Sequence, residues 1–322
     1  MILPNLDDVI DRLHVVSLPM WINFRGNNFR EVALINGPNG WGEFGAFLEY
    51  KPFEAIHWLI SGLEAAYQVF PKINRKFIPI NATIPTISVN YIPKVLTKFP
   101  EIYTTKVKVA KLGGKISDDI MRINVTQTYT PLIRLDANGG WTANQANIAT
   151  SALTSNGPLE YIEQPCPSLK ELNKFRSKIQ VPIAIDEFIR KNKNPIDIIK
   201  SSLIDLAILK VAPLGGVSRL LNIASKISIP VIISSALDSA IGISTGLRAA
   251  ASLPKLHYAC GLGTSRFFIE DIASIPSPTE GYLTAEPVTP DPARLESLAV
   301  PKLRRQWWIN RIHECYSYIQ KT

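Results

Sequence analysis

Short segments rich in β-branched residues recur through most of this 322-residue chain at a nearly constant interval. They begin near Ile80, Thr105, Leu132, Leu159, Pro182, Asp205, Ile229 and His257, each 23 to 28 residues after the last. One strand, one helix and two loops need about that length. Helix-forming stretches fill the gaps, at 117–128, 145–154, 169–179 and 217–227. The repeat predicts successive βα units. Eight strand starts favour a closed (β/α) barrel. A doubly wound open sheet is the alternative that spacing alone leaves standing.

The flanks lack this rhythm. Residues 29–35 read as a strand, ended by the turn Gly37-Pro38-Asn39-Gly40, with Trp41-Gly42-Glu43 as the returning strand. Pro52 can open a helix with Ala55, Trp58, Leu59, Leu63 and Ala66 on one face. A small α+β unit is expected there. Beyond residue 275 prolines punctuate the chain, and a last helix places Trp308, Ile312, Cys315, Tyr316 and Ile319 at helical spacing. That face needs something to pack on, either the N-terminal unit or the barrel flank.

Composition bounds the setting. With 46% apolar and 19% charged residues the chain is not globally disordered. The net charge of +8 is spread out and comes with no nucleic-acid motif, so nucleic acid is not an expected partner. The three cysteines are far apart, the N-terminus carries Asp7, Asp8 and Asp11, and no apolar run approaches membrane-spanning length. A cytoplasmic protein without a membrane partner is expected.

In a barrel, chemistry sits where strands end. The second strand runs Lys106-Val107-Lys108, the third ends at Asp136, the fourth at Glu163, the fifth at Asp186 and the sixth at Lys210. Each apolar strand thus terminates in an ionisable residue. Neighbouring carboxylates repel unless a cation intervenes. Asp136, Glu163 and Asp186 are hard oxygen donors suited to Mg2+, with Mn2+ as the alternative. The histidines His14, His57, His257 and His313 are scattered and read as structural. Lys108 and Lys210 would face each other across the mouth, with Lys106 on the same face as Lys108. A carboxylate substrate on the metal would lie between two amines. That arrangement suits proton removal alpha to a carboxylate, with the metal stabilising enediolate oxygens and a lysine of lowered pKa as base.

This order of Lys-x-Lys, Asp, Glu, Asp and Lys resembles the enolase superfamily, in its muconate-cycloisomerase-like branch. Further stretches are similar to the ortho-succinylbenzoate synthase family in its actinobacterial form. They include Phe24-Arg25-Gly26, Gly40-Trp41-Gly42-Glu43-Phe44-Gly45, 105–110, 134–141, 161–166, 209–216, 234–242, 260–264 and Trp307-Trp308. The resemblance implies an α/β fold, a (β/α)7β barrel with an α+β capping domain built from both chain ends. The units would be 1–79 for the cap, 80–274 for the barrel and 275–322 completing the cap. It implies a lyase of menaquinone biosynthesis that dehydrates 2-succinyl-6-hydroxy-2,4-cyclohexadiene-1-carboxylate, a small dicarboxylate, to 2-succinylbenzoate. Lys108 would remove the proton and assist departure of hydroxide on the same face. Lys210 would hold its charge on the other face, Lys106 would tune Lys108, and Asp136, Glu163 and Asp186 would hold the metal.

For the substrate, Ser234 and Ser235 end the seventh strand, and Gly261, Leu262 and Gly263 end the eighth. Backbone N–H groups there can hold carboxylates, or the glycines serve only the turns. Arg25 from the cap and Arg190 after the fifth-strand acids are further candidates. Phe188 stands where the family suggests a small polar residue, and would narrow the pocket or alter the hydrogen bonds around it. An N-succinylamino acid racemase or related epimerase, with both lysines as bases, stays open, as does a ligand-binding barrel without catalysis. The oligomeric state is not legible.

Overall fold

A computed structural model describes residues 3–24, 26–154, 157–192, 194–274 and 276–321. An antiparallel sheet comes first: β1 (Leu13–Phe24), β2 (Asn27–Gly37) and β3 (Gly40–Phe44), in that order. Gly37 pairs with Gly40 around the expected turn, and Gly40 has φ 133°, which favours glycine. β1 had no counterpart in the sequence reading. Pro19 interrupts it, its pairing shifts between Pro19 and Phe24, and its burial does not alternate cleanly.

The helix Pro52–Tyr67 packs on β3 through the expected face, with Ala55, Trp58, Leu59, Leu63 and Ala66 all buried. The contact is close enough that a Cβ on Gly42 would lie 1.9 Å from the Gly62 carbonyl oxygen. The helix Lys302–Ile319 completes this layer. Trp308, Ile312, Cys315 and Tyr316 share one core with Phe44, Leu59 and Leu63. Trp308 meets Phe44 edge-on at 5.4 Å and donates Nε1 to Glu31 at 3.0 Å. The unpartnered C-terminal face of the sequence therefore finds the N-terminal unit, and the two chain ends build one cap.

β4 (Phe77–Pro79) leads into the barrel. Its parallel strands follow in chain order: β5 (Ala82–Ile84), β6 (Thr104–Lys108), β7 (Leu132–Asp136), β8 (Leu159–Glu163), β9 (Ile183–Ile185), β10 (Leu206–Leu209) and β11 (Val231–Ile233). The eighth expected strand shrinks to Cys260 and Gly261. These form parallel bridges to Ile80 on one side and Ser234 on the other, which closes the ring. Gly261 has no room for a side chain, since a Cβ would come 2.5 Å from Ser234 Oγ. β12 (Tyr282–Thr284) runs back antiparallel to β4. Among the described residues no helix is long and apolar enough to cross a membrane.

Period two along these strands positions the site. Tyr161, Ala184, Leu206, Ile208 and Ile232 form a separate buried cluster, and they share strand faces with Glu163, Asp186, Lys210 and Ser234. Arg134, fully buried two residues before Asp136, donates to Asn81 Oδ1 at 3.0 Å and to the Ala259 carbonyl at 2.7 Å. The strand ends thus stand on a filled interior.

Cap and barrel also meet through a buried acid. Glu43 of β3 reaches the N-terminus of the barrel helix Ala240–Ser252. Its Oε2 accepts from Ser239 N at 3.0 Å, Ser239 Oγ at 2.5 Å and Gly242 N at 3.1 Å. Burial, reinforced by Asp238, pushes the Glu43 carboxyl up to about 8.

Trp308→Ala should cost about 3–5 kcal/mol in urea titration, and a loss below about 1 kcal/mol would mean that the terminal helix is not integral to the cap. Between its unfolded value of 4.5 and about 8, Glu43 keeps a proton in the native state that the unfolded chain releases. Its contribution to stability therefore falls as pH rises through that window. Glu43→Gln removes the titration, so its melting temperature relative to the native chain should climb with pH across the same window. A difference independent of pH would contradict the raised carboxyl.

Candidate active site

In-register pairing sets Lys108 beside Asp136 and Asp136 beside Glu163, on β6, β7 and β8. Asp186 and Lys210 directly follow β9 and β10, and Ser234 follows β11. All these side chains project from the C-terminal strand ends. Asp136, Glu163 and Asp186 are at most 1% exposed and Lys106 is 6% exposed.

Each carboxylate is met by an amine. Lys106 Nζ lies 2.9 Å from Glu163 Oε2 and 3.3 Å from Asp136 Oδ2. Lys108 Nζ pairs with Asp136 Oδ2 and donates to Asn138 Oδ1 at 2.9 Å. Lys210 Nζ donates to Asp186 Oδ2 at 2.6 Å. Burial, together with the charges of Lys106 and Lys210, holds Lys108 below an ordinary lysine, against the pull of Asp136. Burial acts the same way on Lys210, but Asp186 and Glu163 outweigh it and its pKa is raised. Lys106 is likewise raised, because Glu163 and Asp136 overcome its burial. Burial disfavours ionised Asp136, yet Lys108 and Lys106 hold it below the usual carboxylate range. Of the three lysines, Lys108 alone is held below its ordinary value, and Lys106 and Lys210 are held above theirs.

The donor set suits a hard cation. Glu163 Oε1 is buried without a hydrogen-bond partner, as is Glu187 Oε2. An orphan carboxylate oxygen at that depth is costly, and a divalent ion satisfies it. Among the described residues no three Asp, Glu, His or Cys side chains stand close enough to ligate one ion. Here the carboxylates turn toward the lysines, so joint ligation by Asp136, Glu163 and Asp186 requires those side chains to swing.

The remaining candidates separate. Ser234, Ser235 and Gly261 line the mouth together with Thr264, and Ser235 Oγ lies 2.7 Å from Thr264 Oγ1. The backbone donors expected there are engaged: Ser234 N binds Leu209 O, Ser235 N binds Gly261 O and Gly261 N binds Ile233 O. Barrel closure uses these N–H groups; the Ser234 and Ser235 hydroxyls at the mouth donate to the Gly261 carbonyl at 3.4 and 3.0 Å, and as rotors they can turn from it toward a ligand where the amides cannot. Leu262 is fully buried and packs on Gly246, and a Cβ on Gly263 would press on Phe99. Arg190 stands 3.5 Å from Asp186 Oδ1 and 3.3 Å from Glu187 Oε1, and donates to the cap's Tyr50 hydroxyl at 3.3 Å. Arg25 lies outside the described residues. Phe188 packs on the barrel's hydrophobic core and does not line the mouth.

Two polar residues escaped the sequence reading. Asn138 Nδ2 donates to Glu187 Oε1 at 3.1 Å, which links the ends of the third and fifth strands. Asn138 has φ 45° and its N–H binds Asp136 Oδ1, a turn that asparagine tolerates. The pairs Asp-x-Asn and Asp-Glu were the available signal. Phe24 and Phe47 from the cap close the mouth, whose cavity is about 40 Å3. Larger clefts exist elsewhere, one of about 360 Å3 lined by Lys98, Arg266 and Arg294, but no comparable set of buried charges lines it.

Residues 15–66 match the family described as Enolase N-terminal domain-like, and residues 101–291 match Enolase C-terminal domain-like. The chain is 54% identical over 317 residues to a Mycobacterium leprae (strain TN) protein named o-succinylbenzoate synthase, covering 98% of this chain and 95% of that one. It is 53% identical over 316 residues to the protein of that name from Mycolicibacterium smegmatis (strain ATCC 700084 / mc(2)155), covering 98% of each. Among solved structures, N-succinyl Arg/Lys racemase from Bacillus cereus ATCC 14579 superposes with a TM-score of 0.74 at 17% identity, over 90% of this chain and 97% of that one. Muconate lactonizing enzyme from Pseudomonas fluorescens, complexed with muconolactone, gives 0.74 at 19% identity, over 90% and 98%. These two likenesses speak to the fold alone.

Lys106→Met removes the ammonium shared by Asp136 and Glu163. It should cost about 3–5 kcal/mol of stability in urea titration with chelator present. Added Mg2+ should return part of that loss. A variant as stable as the native chain in chelator would show that the carboxylates do not depend on that charge.

Proposed function

The chain belongs to the o-succinylbenzoate synthase family of the enolase superfamily, and from that premise we propose that it dehydrates 2-succinyl-6-hydroxy-2,4-cyclohexadiene-1-carboxylate to 2-succinylbenzoate in menaquinone biosynthesis. The observation that carries this reading is identity above one half, along nearly the whole chain, with proteins of that one name. Buried, unpaired thiols at Cys166, Cys260 and Cys315 suit a cytoplasmic setting.

Asp136, Glu163 and Asp186 would hold Mg2+, or Mn2+ in its place. The ion supplies positive charge against the negative charge that builds on the substrate carboxylate as the adjacent C–H bond breaks. Lys108 Nζ, in its unprotonated form, takes that proton. The resulting ammonium returns it to the hydroxyl leaving from the same face, so the C–O bond breaks, water departs and the ring becomes aromatic. Lys210 stays charged on the opposite face and attracts the carboxylate throughout. Lys106 holds Asp136 below the usual carboxylate range, opposes the rise to about 7 that burial and Asp136 impose on Glu163, and lowers Lys108. The hydroxyls of Ser234 and Ser235 would turn from the Gly261 carbonyl to the anionic end of the substrate. A cavity of about 40 Å3 is too small for the ring, so Phe24 and Phe47 must move aside for entry and return to exclude water.

The unequal lysines favour dehydration over racemisation, which needs a base on each face. Purified protein with the cyclohexadiene and Mg2+ should produce the aromatic product, read by its absorbance; a folded, metal-loaded enzyme that makes none would reject the assignment. Lys108→Ala should lower kcat by about 10²–10⁴, with the fold intact by circular dichroism. Chelation should abolish turnover and either Mg2+ or Mn2+ should restore it; activity that persists in chelator would remove the metal from the scheme.

A further inference from the structure

The wall of the mouth opposite the carboxylates is the segment that follows β11. Ser234, Ser235, Ala236 and Leu237 all line the cavity. This backbone is irregular, and Leu237 sits at φ 64°. A branched side chain holds that left-handed conformation only where its surroundings impose it.

Part of the restraint is local, since Asp238 Oδ2 accepts from Ala236 N at 3.1 Å. The rest comes from the cap, about two hundred residues away in the chain. Arg30 of β2 donates Nε to the Leu237 carbonyl at 3.0 Å. Glu43 of β3 takes the next donors along, on Ser239 and Gly242. A cation therefore grips the carbonyl of the strained residue, and an acid grips the amides just beyond it. Both are deeply buried, at 3% and 7% exposure, and neither lines the mouth.

The surroundings are shaped to this acid. A Cβ on Gly242 would lie 2.9 Å from Glu43 Oε2, and one on Gly45 would lie 2.6 Å from Glu43 Oε1. Glycine on both sides of the junction gives the carboxyl its space. The Arg30 guanidinium also lies over the Phe47 ring at 4.4 Å, so the same cap residue supports the other wall of the mouth.

We propose that Glu43 and Arg30 are positioning residues that clamp segment 237–242 to the cap and thereby set the Ser234 and Ser235 hydroxyls against the substrate's carboxylate. Docking of the cap and ordering of the substrate wall become one event. The clamp governs recognition of the anionic end of the substrate more than the proton transfer at Lys108. This inference rests on the dehydratase reading for its substrate, but not for its geometry.

Glu43→Asp keeps the carboxyl group and shortens the reach by one methylene. Two readouts decide the matter: amide hydrogen exchange across residues 234–242 without substrate, and steady-state kinetics with the cyclohexadiene. The clamp predicts faster exchange in that segment and a KM raised about tenfold, with kcat within about threefold of native. Glu43→Gln keeps the acceptor oxygen and the length, and should bring both readouts back to within about threefold of native. If Glu43→Asp does not fold, Ser239→Ala, which deletes one of the three bonds to Glu43, should give the same signature at smaller size. Unchanged exchange would overturn the clamp. So would a loss of activity that follows only the folded fraction at constant KM, or a Glu43→Gln variant as impaired as Glu43→Asp. Should the native enzyme not turn over the cyclohexadiene, the functional reading fails, and the exchange measurement still decides the clamp by itself.

Discussion

Everything at the mouth of the barrel depends on one electrostatic constraint. Three carboxyl groups and three lysine amines stand together in a place where water hardly reaches. None could stay ionised there alone, because desolvation of a lone buried charge costs more than folding can spare. Each is tolerable only because neighbours of opposite sign lie within hydrogen-bonding distance. The parallel sheet makes this interleaving possible, since in-register strands bring Lys108, Asp136 and Glu163 to one level. The same neutralisation differentiates the lysines. Lys108 shares its acid with Lys106 and feels both other ammonium groups, whereas Lys210 has Asp186 directly against it. Chemical asymmetry between two identical side chains follows from how the acids are distributed.

That constraint reaches outward to the cap. A buried charged centre must be kept from bulk water, and the cap supplies Phe24 and Phe47 for this purpose. It can do so reproducibly because both chain ends contribute to one core, where Trp308 packs against Phe44. The residue before Phe44 in the chain is Glu43, so the strand that anchors the cap's core also carries its contact to the barrel helix Ala240–Ser252.

Much of this was legible in the residue order. The strand rhythm and the ionisable strand ends reflect period-two geometry, which local sequence encodes directly. The helix faces at 52–67 and 302–319 were readable for the same reason. What escaped depends on long-range partners. β1 lacks clean alternation because Pro19 interrupts it and its two faces meet different neighbours. The eighth strand was expected to start near His257, but only Cys260 and Gly261 bridge to their neighbours in the ring, with Gly261 close against Ser234. Backbone donors at 234, 235 and 261 were open to two readings, carboxylate binding or turn formation alone, and closing the barrel consumes them. Asn138 and Glu187 are joined across strands, a contact that sequence spacing cannot reveal. Glu43 was visible only as part of a motif, because its donors lie almost two hundred residues downstream.

The two-residue closure at Cys260 and Gly261 divides the barrel into unequal sides. From β5 to β10 the wall is continuous ladder and carries every charged group of the mouth. Across the seam, few backbone bonds join β11 to β5, and the groups there are hydroxyls and glycine. The barrel therefore carries its charges on one side and its hydroxyls on the other. On the proposed reading, change on the hydroxyl side can alter which acid is accepted without disturbing the charges. An architecture of this kind allows substrate preference to drift while the reaction stays the same.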